Sequence, residues 1–571
     1  MTKIESRLPE GFTVQRLSDG VSDFIHFRFP RTGGRTRGEV ILPMDDGTSF
    51  KAVEAAFKRA GGLLPGSKTM ADLVSGLISA VPDAPGVLAR SPGWIIKDNG
   101  RAFVTPTLNY GSVEIPIVFH APRADTISLK QSGTLEGWQA NVAKPARRSI
   151  AVATALLASL SGPLFRFSEL TESFVVNIAG NSSSGKSTAN RGALSVWGEP
   201  TSMNSWNASD RGAIEQAFDN NDLVLVLDDI EQSDPNLSKR LKKALELLHQ
   251  LVSGKGKRYA KSVKGKDQLP DLTYNCVFLS SSPSTLLSLD GPDSDIVRLL
   301  EIAVPHGDKG GIWHECSDPK PSVTAKKSDD LTRGAKENHG VAGDLWLRFL
   351  VAQDDLPARI QSAMKTFEGH VRPSGSLEAR IAKKAGLLYA AAILAVEAKI
   401  LPWNDNVCLR IASDSYDAFL ASAFAGKAQK IGFLRSIVQL AKDRKKVART
   451  DGAPATVSMS GAELVGCAYN QKSLLAIKMA ALENLVPVGP FDADAVFKAT
   501  LASLRQSGVL QGGSGNSLTK DVRFKEGNLK MAVFDVARLN DAIRASMPAR
   551  TGVKSKSTGA KELKKSGKRP S

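Results

Sequence analysis

The sequence predicts an α/β fold centred on a parallel sheet. A smaller α/β region precedes that core, and an all-helical region and a C-terminal winged helix follow it. Three observations carry this reading. The apolar run Phe174-Val-Val-Asn-Ile-Ala179 reads as a buried strand, and it ends in Gly180-Asn-Ser-Ser-Ser-Gly-Lys-Ser187. About forty residues on, Leu223-Val-Leu-Val-Leu ends in Asp228-Asp229-Ile-Glu231. Between about 136 and 310 such runs alternate with helical patterns, as a parallel sheet with crossover connections requires.

The stretch 180–187 fits the phosphate-loop pattern G-x-x-x-x-G-K-S/T, and Thr188-Ala-Asn-Arg-Gly-Ala-Leu-Ser195 after it reads as the start of a helix. Strand, loop and helix in that order matter because backbone N–H groups must wrap a phosphate at the positive end of a helix. The candidate nucleotide-binding residues are therefore Gly180, Asn181, Ser182, Ser183, Ser184, Gly185, Lys186, Ser187 and Thr188. Lys186 would reach the outer phosphates of ATP, and the Ser187 hydroxyl would ligate Mg²⁺. The acids at 228–229 end a second buried strand at the edge where such sheets bind ligands. Asp228 would hold Mg²⁺, and Asp229 would polarise the attacking water.

Length and charge bound the rest. A chain of 571 residues exceeds a single core and suggests several domains. Four scattered cysteines, with no C-x-x-C spacing, indicate neither a disulfide framework nor a zinc ribbon. His314-Glu-Cys316 supplies two ligands without a second pair, which makes no metal site. Met1–Pro9 is charged without an apolar core, and Ile150–Leu160 is short and alanine-rich, so it reads as a core helix and not as a span. A cytoplasmic protein is expected.

The net charge of +17 points to a polyanionic partner. From Met547 to Ser571 eight Lys/Arg face Glu562 alone, which reads as a disordered basic arm for nucleic acid or a solubilising tail.

Along the chain, residues 1–135 mix strand-like runs (Phe24–Phe29, Gly38–Leu42, Ile115–Phe119) with a helical stretch at Lys51–Gly61. The core covers 136–310 and a polar linker 311–339. Residues 340–445 read as all-helical, with Leu387, Leu388, Ala391, Leu394 and Ala395 at helical spacing. The last folded region, 455–545, places Phe497, Leu501 and Leu504 on one helix face. Val522 and Phe524 then alternate, a Glu-Gly-Asn turn follows, and Phe534 and Val536 alternate back. Helix then hairpin is the ending of a winged helix. Lys520, Arg523, Lys525 and Lys530 on the wing could touch phosphates, or the domain could serve protein contacts alone. The segment 547–571 is the basic tail.

Several blocks resemble a bacterial phosphate-loop family, domain of unknown function nine-two-seven, which includes phage and mobile-element primase–helicases and the cassette-chromosome helicases. They run from about Leu63 to Leu420. The blocks are Arg90-Ser-Pro-Gly-Trp94 with Phe103-Val-Thr-Pro106, Gly133-Thr-Leu-Glu-Gly-Trp-Gln-Ala-Asn141, the phosphate loop, Ser195-Val-Trp-Gly198 and Asp228-Asp-Ile-Glu-Gln-Ser-Asp-Pro235. Gly254-Lys-Gly-Lys-Arg258, Val297-Arg-Leu-Leu-Glu-Ile302 and Asn338-His-Gly-Val-Ala-Gly343 complete the set.

The resemblance implies an AAA+-like core similar to minichromosome-maintenance and superfamily-3 helicases, a hexameric ring, and replication or mobile-element partners. By that analogy Lys257, Lys261, Lys264 and Lys266 would line a channel that tracks a single DNA strand, or form a solvated basic loop. Ser281 or Ser282 would sense the terminal phosphate. Arg298 would act in trans on a neighbour's nucleotide, or form an intrachain salt bridge.

Two departures stand out: Asp228-Asp229 where such ATPases carry Asp-Glu, and Ser281-Ser-Pro283 after the sensor strand. The implied function is a DNA-stimulated ATPase, a ring helicase or replication initiator acting on single- or double-stranded DNA. The alternative is a nucleotide-switched DNA-binding or scaffolding protein with little hydrolysis.

Overall fold

The computed structural model describes residues 11–30, 37–62, 75–77, 79–98, 100–121, 129–201, 203–206, 209–228, 230, 237–256, 272–289, 291–461, 463–513 and 517–546. The chain divides after Phe424 into two compact units.

The N-terminal strands are β1 (Thr13–Ser18), β2 (Asp23–Pro30), β3 (Arg37–Pro43), β4 (Gly86–Ala89), β5 (Gly93–Lys97), β6 (Gly100–Val104), β7 (Asn109–Ser112) and β8 (Ile117–Phe119). They form two sheets, β3-β2-β1-β4-β8 and β5-β6-β7. Helix Phe50–Arg59 covers the first of these. There Phe57 meets Phe29 of β2 with ring centroids 4.4 Å apart, alongside buried Phe12, Ile25 and Phe27.

The central sheet holds β9 (Val175–Ala179), β10 (Asn204–Ser205), β11 (Val224–Asp228), β12 (Val277–Ser282) and β13 (Leu299–Ala303). Its order is β10-β11-β12-β9-β13, and every neighbouring pair is parallel. Each residue of β9 and β11 is buried, which is why both read as unbroken apolar runs and not as alternation. Helix Ile150–Phe165 is buried from Ala151 onward. Gly162 lets it press onto the sheet, because a Cβ there would lie 2.5 Å from the carbonyl carbon of Leu223. No helix among the described residues is long and apolar enough to cross a membrane.

Residues 311–339, expected as a linker, form short turns and helix Pro321–Glu337. That helix buries Thr324, Leu331, Gly334 and Ala335, a stripe too narrow and too polar to stand out in sequence. Helices Val341–Val351, Leu356–Val371, Ser376–Glu397 and Asp405–Ala423 share one continuous hydrophobic core with the central sheet.

In the second unit β14 (Val447–Arg449), β15 (Gly466–Tyr469), β16 (Leu474–Ile477), β17 (Leu510–Gln511), β18 (Lys520–Phe524) and β19 (Gly527–Asp535) make a six-stranded sheet. The expected helix and hairpin are there: helix Ala493–Gln506 buries Phe497, Leu501 and Leu504, and β18 pairs antiparallel with β19. Val522 and Phe524 point inward, while Lys520, Arg523, Lys525 and Lys530 are exposed. Strands β14 to β16 precede that helix and were not foreseen. Helix Ala425–Lys442 belongs to this unit, so the helical run of the first unit ends at Ala423.

Candidate active site

A parallel sheet brings the carboxyl ends of all its strands to one edge. Here the register sets Ala179, Ser282 and Ala303 level with one another, and Leu227 level with Ser280. Asp228 therefore stands beside Ser281, one strand away from the loop that leaves β9.

That loop is built for close approach. Gly185 takes φ 88° at the N-cap of helix Lys186–Leu194, a left-handed conformation that glycine adopts without strain. A Cβ on it would meet Cγ1 of Ile312 at 2.9 Å, and one on Gly180 would meet Cγ2 of Val304 at 2.6 Å. The chain after β13 backs the loop: Val304 N–H donates to Ala179 at 2.8 Å, and Ile312 N–H donates to the Ser184 carbonyl at 2.8 Å. Gly180 N–H donates to the Ser282 carbonyl at 3.1 Å, which fixes the loop to β12.

Lys186 folds over the loop. Its Nζ donates to the carbonyls of Gly180 and Asn181 at 2.7 and 2.9 Å. The ammonium is thus held against the first two residues of the loop. Asn181, Ser182 and Ser183 are exposed, Gly185, Lys186 and Ser187 half-buried, and Ser184 and Thr188 buried.

Asp228 is buried, and its Oδ1 accepts from the Ser281 hydroxyl and from Asn190 Nδ2 at 3.4 Å. Asn190 lies one turn beyond Lys186 on the same helix, and its own Oδ1 is buried with no hydrogen-bond partner among the described residues. The two candidate sensor serines separate cleanly. Ser281 turns to Asp228. The Ser282 hydroxyl accepts from Asn177 Nδ2 at 2.8 Å and donates to the Ser284 carbonyl at 2.6 Å.

Behind them Glu301 is buried, with Oε2 accepting from Asn177 Nδ2 and Leu286 N–H, each at 2.9 Å. Burial pushes its carboxyl above the usual range, opposed by hydrogen bonds from Thr285, Leu286 and Asn177. Asn177 and Glu301 were missed in sequence, although a polar residue inside an apolar strand was the available signal. Asn190 was missed as well, and its signal was the spacing of four from Lys186 on one helix face.

Arg298 stands elsewhere. It closes helix Asp293–Arg298 just before Leu299, which pairs with Val175, so it lies at the amino edge of the sheet, opposite the loop. There Nε and NH2 pair with Oε2 of Glu172 at 3.0 and 2.9 Å. Arg380 reaches Oε1 of the same carboxylate at 3.0 Å, and Lys384 lies at 4.0 Å. The intrachain salt bridge is thus present, and Arg298 cannot reach the loop of its own chain. Asp229, Lys257, Lys261, Lys264 and Lys266, like the tail from 547, lie outside the described residues.

The remaining motif blocks are structural joints. A Cβ on Gly93 would lie 2.4 Å from Oδ2 of Asp222, which accepts the Trp94 N–H at 2.9 Å. Trp94 Nε1 donates to the Pro163 carbonyl at 2.8 Å, and its ring meets Phe103 edge-on at 5.2 Å. The small β5-β6-β7 sheet docks through these contacts. Three further blocks are joined to one another: Asn338 Oδ1 accepts Thr134 N–H at 3.1 Å and leaves no room for a Cβ on Gly133 or Gly137. Trp138 Nε1 donates to Ser195 Oγ at 2.9 Å, and Gly343 N–H donates to Val196 at 2.8 Å.

The fold is thus a mixed α/β one, with a parallel central sheet and packed helices. Residues 60–267, which include the loop and the acidic strand, match the family model "Domain of unknown function (DUF927)", so the resemblance drawn from the motif blocks holds over that segment. A solved structure described as "SCCmec type IV Cch - active helicase" superposes with a TM-score of 0.57 at 16% identity, covering 94% of each chain. At that identity the likeness is one of fold. A second, "The A form apo structure of NrS-1 C terminal region-CTR", gives a TM-score of 0.27 at 11% identity over 68% of this chain and 88% of that one, too low to support an argument. None of the curated proteins compared matches the chain in sequence.

Proposed function

We propose that this chain is a DNA-stimulated ATPase, a ring-forming helicase or replication initiator of a mobile element or prophage that couples ATP hydrolysis to movement on single-stranded DNA. The observation that supports the reading is that the glycine-built loop, with Lys186 and Ser187 opening its helix, and the Asp228–Ser281 pair leave the same edge of one parallel sheet.

The residues present fit a Mg²⁺-bound nucleoside triphosphate. The backbone N–H groups from Ser184 to Ser187 would hold phosphate oxygens at the start of helix Lys186–Leu194. Lys186 would exchange its two loop carbonyls for those oxygens. Ser187 and Asp228 would hold the metal, which neutralises charge that develops on the phosphates. Asn190 and Ser281 hold Asp228 in place, and Ser281 brings a hydroxyl from the strand between Asp228 and the loop. Asp229 is assigned the attacking water.

Arg298 is assigned the phosphates of a neighbouring copy, a role that needs a homo-oligomer because Arg298 lies across the sheet from its own loop. An AAA+-like hexamer would bring Lys257, Lys261, Lys264 and Lys266 to a central channel, and the exposed cations of the β18–β19 hairpin would serve as the wing of a winged helix.

A second reading is favoured by one feature. Asp229 is one methylene shorter than glutamate, so water could be held poorly and ATP could act as a switch for DNA binding or assembly. ATP hydrolysis by the purified chain, with and without single-stranded DNA and beside Lys186→Ala, separates the two. Lys186-dependent turnover that climbs severalfold with DNA supports the motor. Turnover equal to the Lys186→Ala background, with ATP still bound, leaves the switch.

A further inference from the structure

The first unit carries a second charged site that the phosphate-loop chemistry leaves unused. A groove of about 520 Å³ lies between the Gln139–Arg148 segment and helix Pro321–Glu337. Pro145, Trp313 and Leu331 form its apolar floor. Trp313 is 2% exposed and fixed by a 2.9 Å hydrogen bond from Nε1 to Ser328 Oγ. The near wall includes a π-helical turn, Gln139–Ala143, an uncommon geometry that clusters at functional sites. Gly334 closes one end by close approach: a Cβ there would fall 2.3 Å from that of Asn141.

Around this floor stand Lys144, Arg147, Arg148, Lys327 and Arg333, with Asp330 the acid among the lining residues. Asp330 is paired with Arg333 at 2.6 Å. Among the described residues the other four cations have no carboxylate within 4.0 Å, so the groove keeps a net positive field after Asp330 has offset Arg333.

A cationic rim around a recessed floor is the chemistry that holds a phosphodiester backbone, because each phosphate contact releases condensed counterions. Trp313 and Leu331, 2% and 1% exposed, shape the floor from beneath, and the rim follows the phosphates. A recessed site suits a thin strand better than a flat lipid surface. The groove also adjoins the phosphate loop: Trp313 follows Ile312, whose N–H holds the Ser184 carbonyl at 2.8 Å.

We propose that this groove binds the phosphodiester backbone of a single DNA strand, and that the Gly311–Trp313 turn links its occupancy to the phosphate loop. The inference rests on the DNA-binding part of the function proposed above.

The test is anisotropy of a labelled oligothymidylate with the full chain at several salt concentrations. It compares wild type, the double variant Arg147→Glu/Arg148→Glu and the conservative double variant Arg147→Lys/Arg148→Lys. The charge-reversed variant is expected to bind at least about tenfold more weakly, with a log–log salt slope shallower by about 1.4, the loss of two single-strand phosphate contacts. The lysine variant is expected to retain binding, and fluorescent ATP to bind all three alike. Unchanged affinity and slope in the reversed variant overturn the groove alone. Lost ATP binding with intact DNA binding overturns it in favour of a nucleotide subsite. Displacement of the oligonucleotide by polyglutamate at equal charge overturns it in favour of an acidic peptide. No binding by wild type overturns this inference and the DNA reading together.

Discussion

The Ser281 hydroxyl donates to Oδ1 of Asp228 across the β11–β12 register, which places a neutral donor directly on the buried carboxylate of the candidate metal site. Its removal leaves Asp228 with Asn190 at 3.4 Å as its other side-chain donor. Ser281→Ala is expected to fold normally and to need more Mg²⁺ for half-maximal hydrolysis, with turnover reduced about tenfold, or about 1.4 kcal/mol. A magnesium titration of ATPase rate checks this, and an unchanged midpoint and rate would refute the assignment.

Lys186 is expected to matter more. Loss of one preorganised cation at developing phosphate charge costs on the order of 10²–10³ in rate. Lys186→Ala should therefore fall by about that factor while circular dichroism stays near wild type, since the half-buried side chain donates to two carbonyls of its own loop and lies outside the hydrophobic core. Residual turnover within threefold of wild type would count against the site.

Gly93→Ala should destabilise the chain without touching the phosphate loop. Gly93 sits at φ 132°, and the added methyl would press on Asp222 Oδ2 at 2.4 Å and Asn221 Nδ2 at 2.5 Å. A cost of about 1–3 kcal/mol is expected from the strained conformation alone. Thermal or urea unfolding would reveal it, and an unaltered Tm would show that the β5 docking joint carries little.

Lys384 gives a pH dependence. Burial lowers its ammonium from the ordinary 10.5 to about 7; Glu172 opposes the shift, while Arg380 and Arg298 add to it. The unfolded chain keeps that proton up to about 10.5, and the folded chain sheds it near 7. Between those values the unfolded state binds more protons, so this group makes stability rise with pH across the window. In urea titrations from pH 7 to 10, Lys384→Met should be flatter than wild type. Parallel curves for the two proteins would remove Lys384 as the source.

Glu301 works in the opposite sense. Its raised value means the folded state holds a proton that the unfolded carboxyl releases, so its contribution to stability declines as pH rises above the ordinary carboxylate range. Glu301→Gln, a neutral isostere, is expected to match wild type in acid and exceed it near neutrality. Glu301→Ala should be less stable at every pH, because Asn177 Nδ2 and Leu286 N–H lose an acceptor. Greater wild-type stability at pH 7 than in the glutamine variant would reverse the sign and reject the argument.

The sequence by itself determined the strand, glycine-rich loop and helix around 175–194, and the acidic strand, because each is a local pattern: an unbroken apolar run, a glycine spacing, a charge at a strand end. It also determined the hairpin of the second unit, where Val522 and Phe524 alternate with Arg523 and Lys525. Only the tertiary structure decided which serine meets Asp228, since adjacent residues of a strand point to opposite faces and strand order is a long-range choice. Packing likewise set helix Pro321–Glu337 of the polar 311–339 stretch against Lys186–Leu194, and it brought Glu172 to Arg298 across 126 positions. The cationic groove belongs to this second kind: its walls come from segments far apart in the chain, and their charges add up only when the fold sets them face to face.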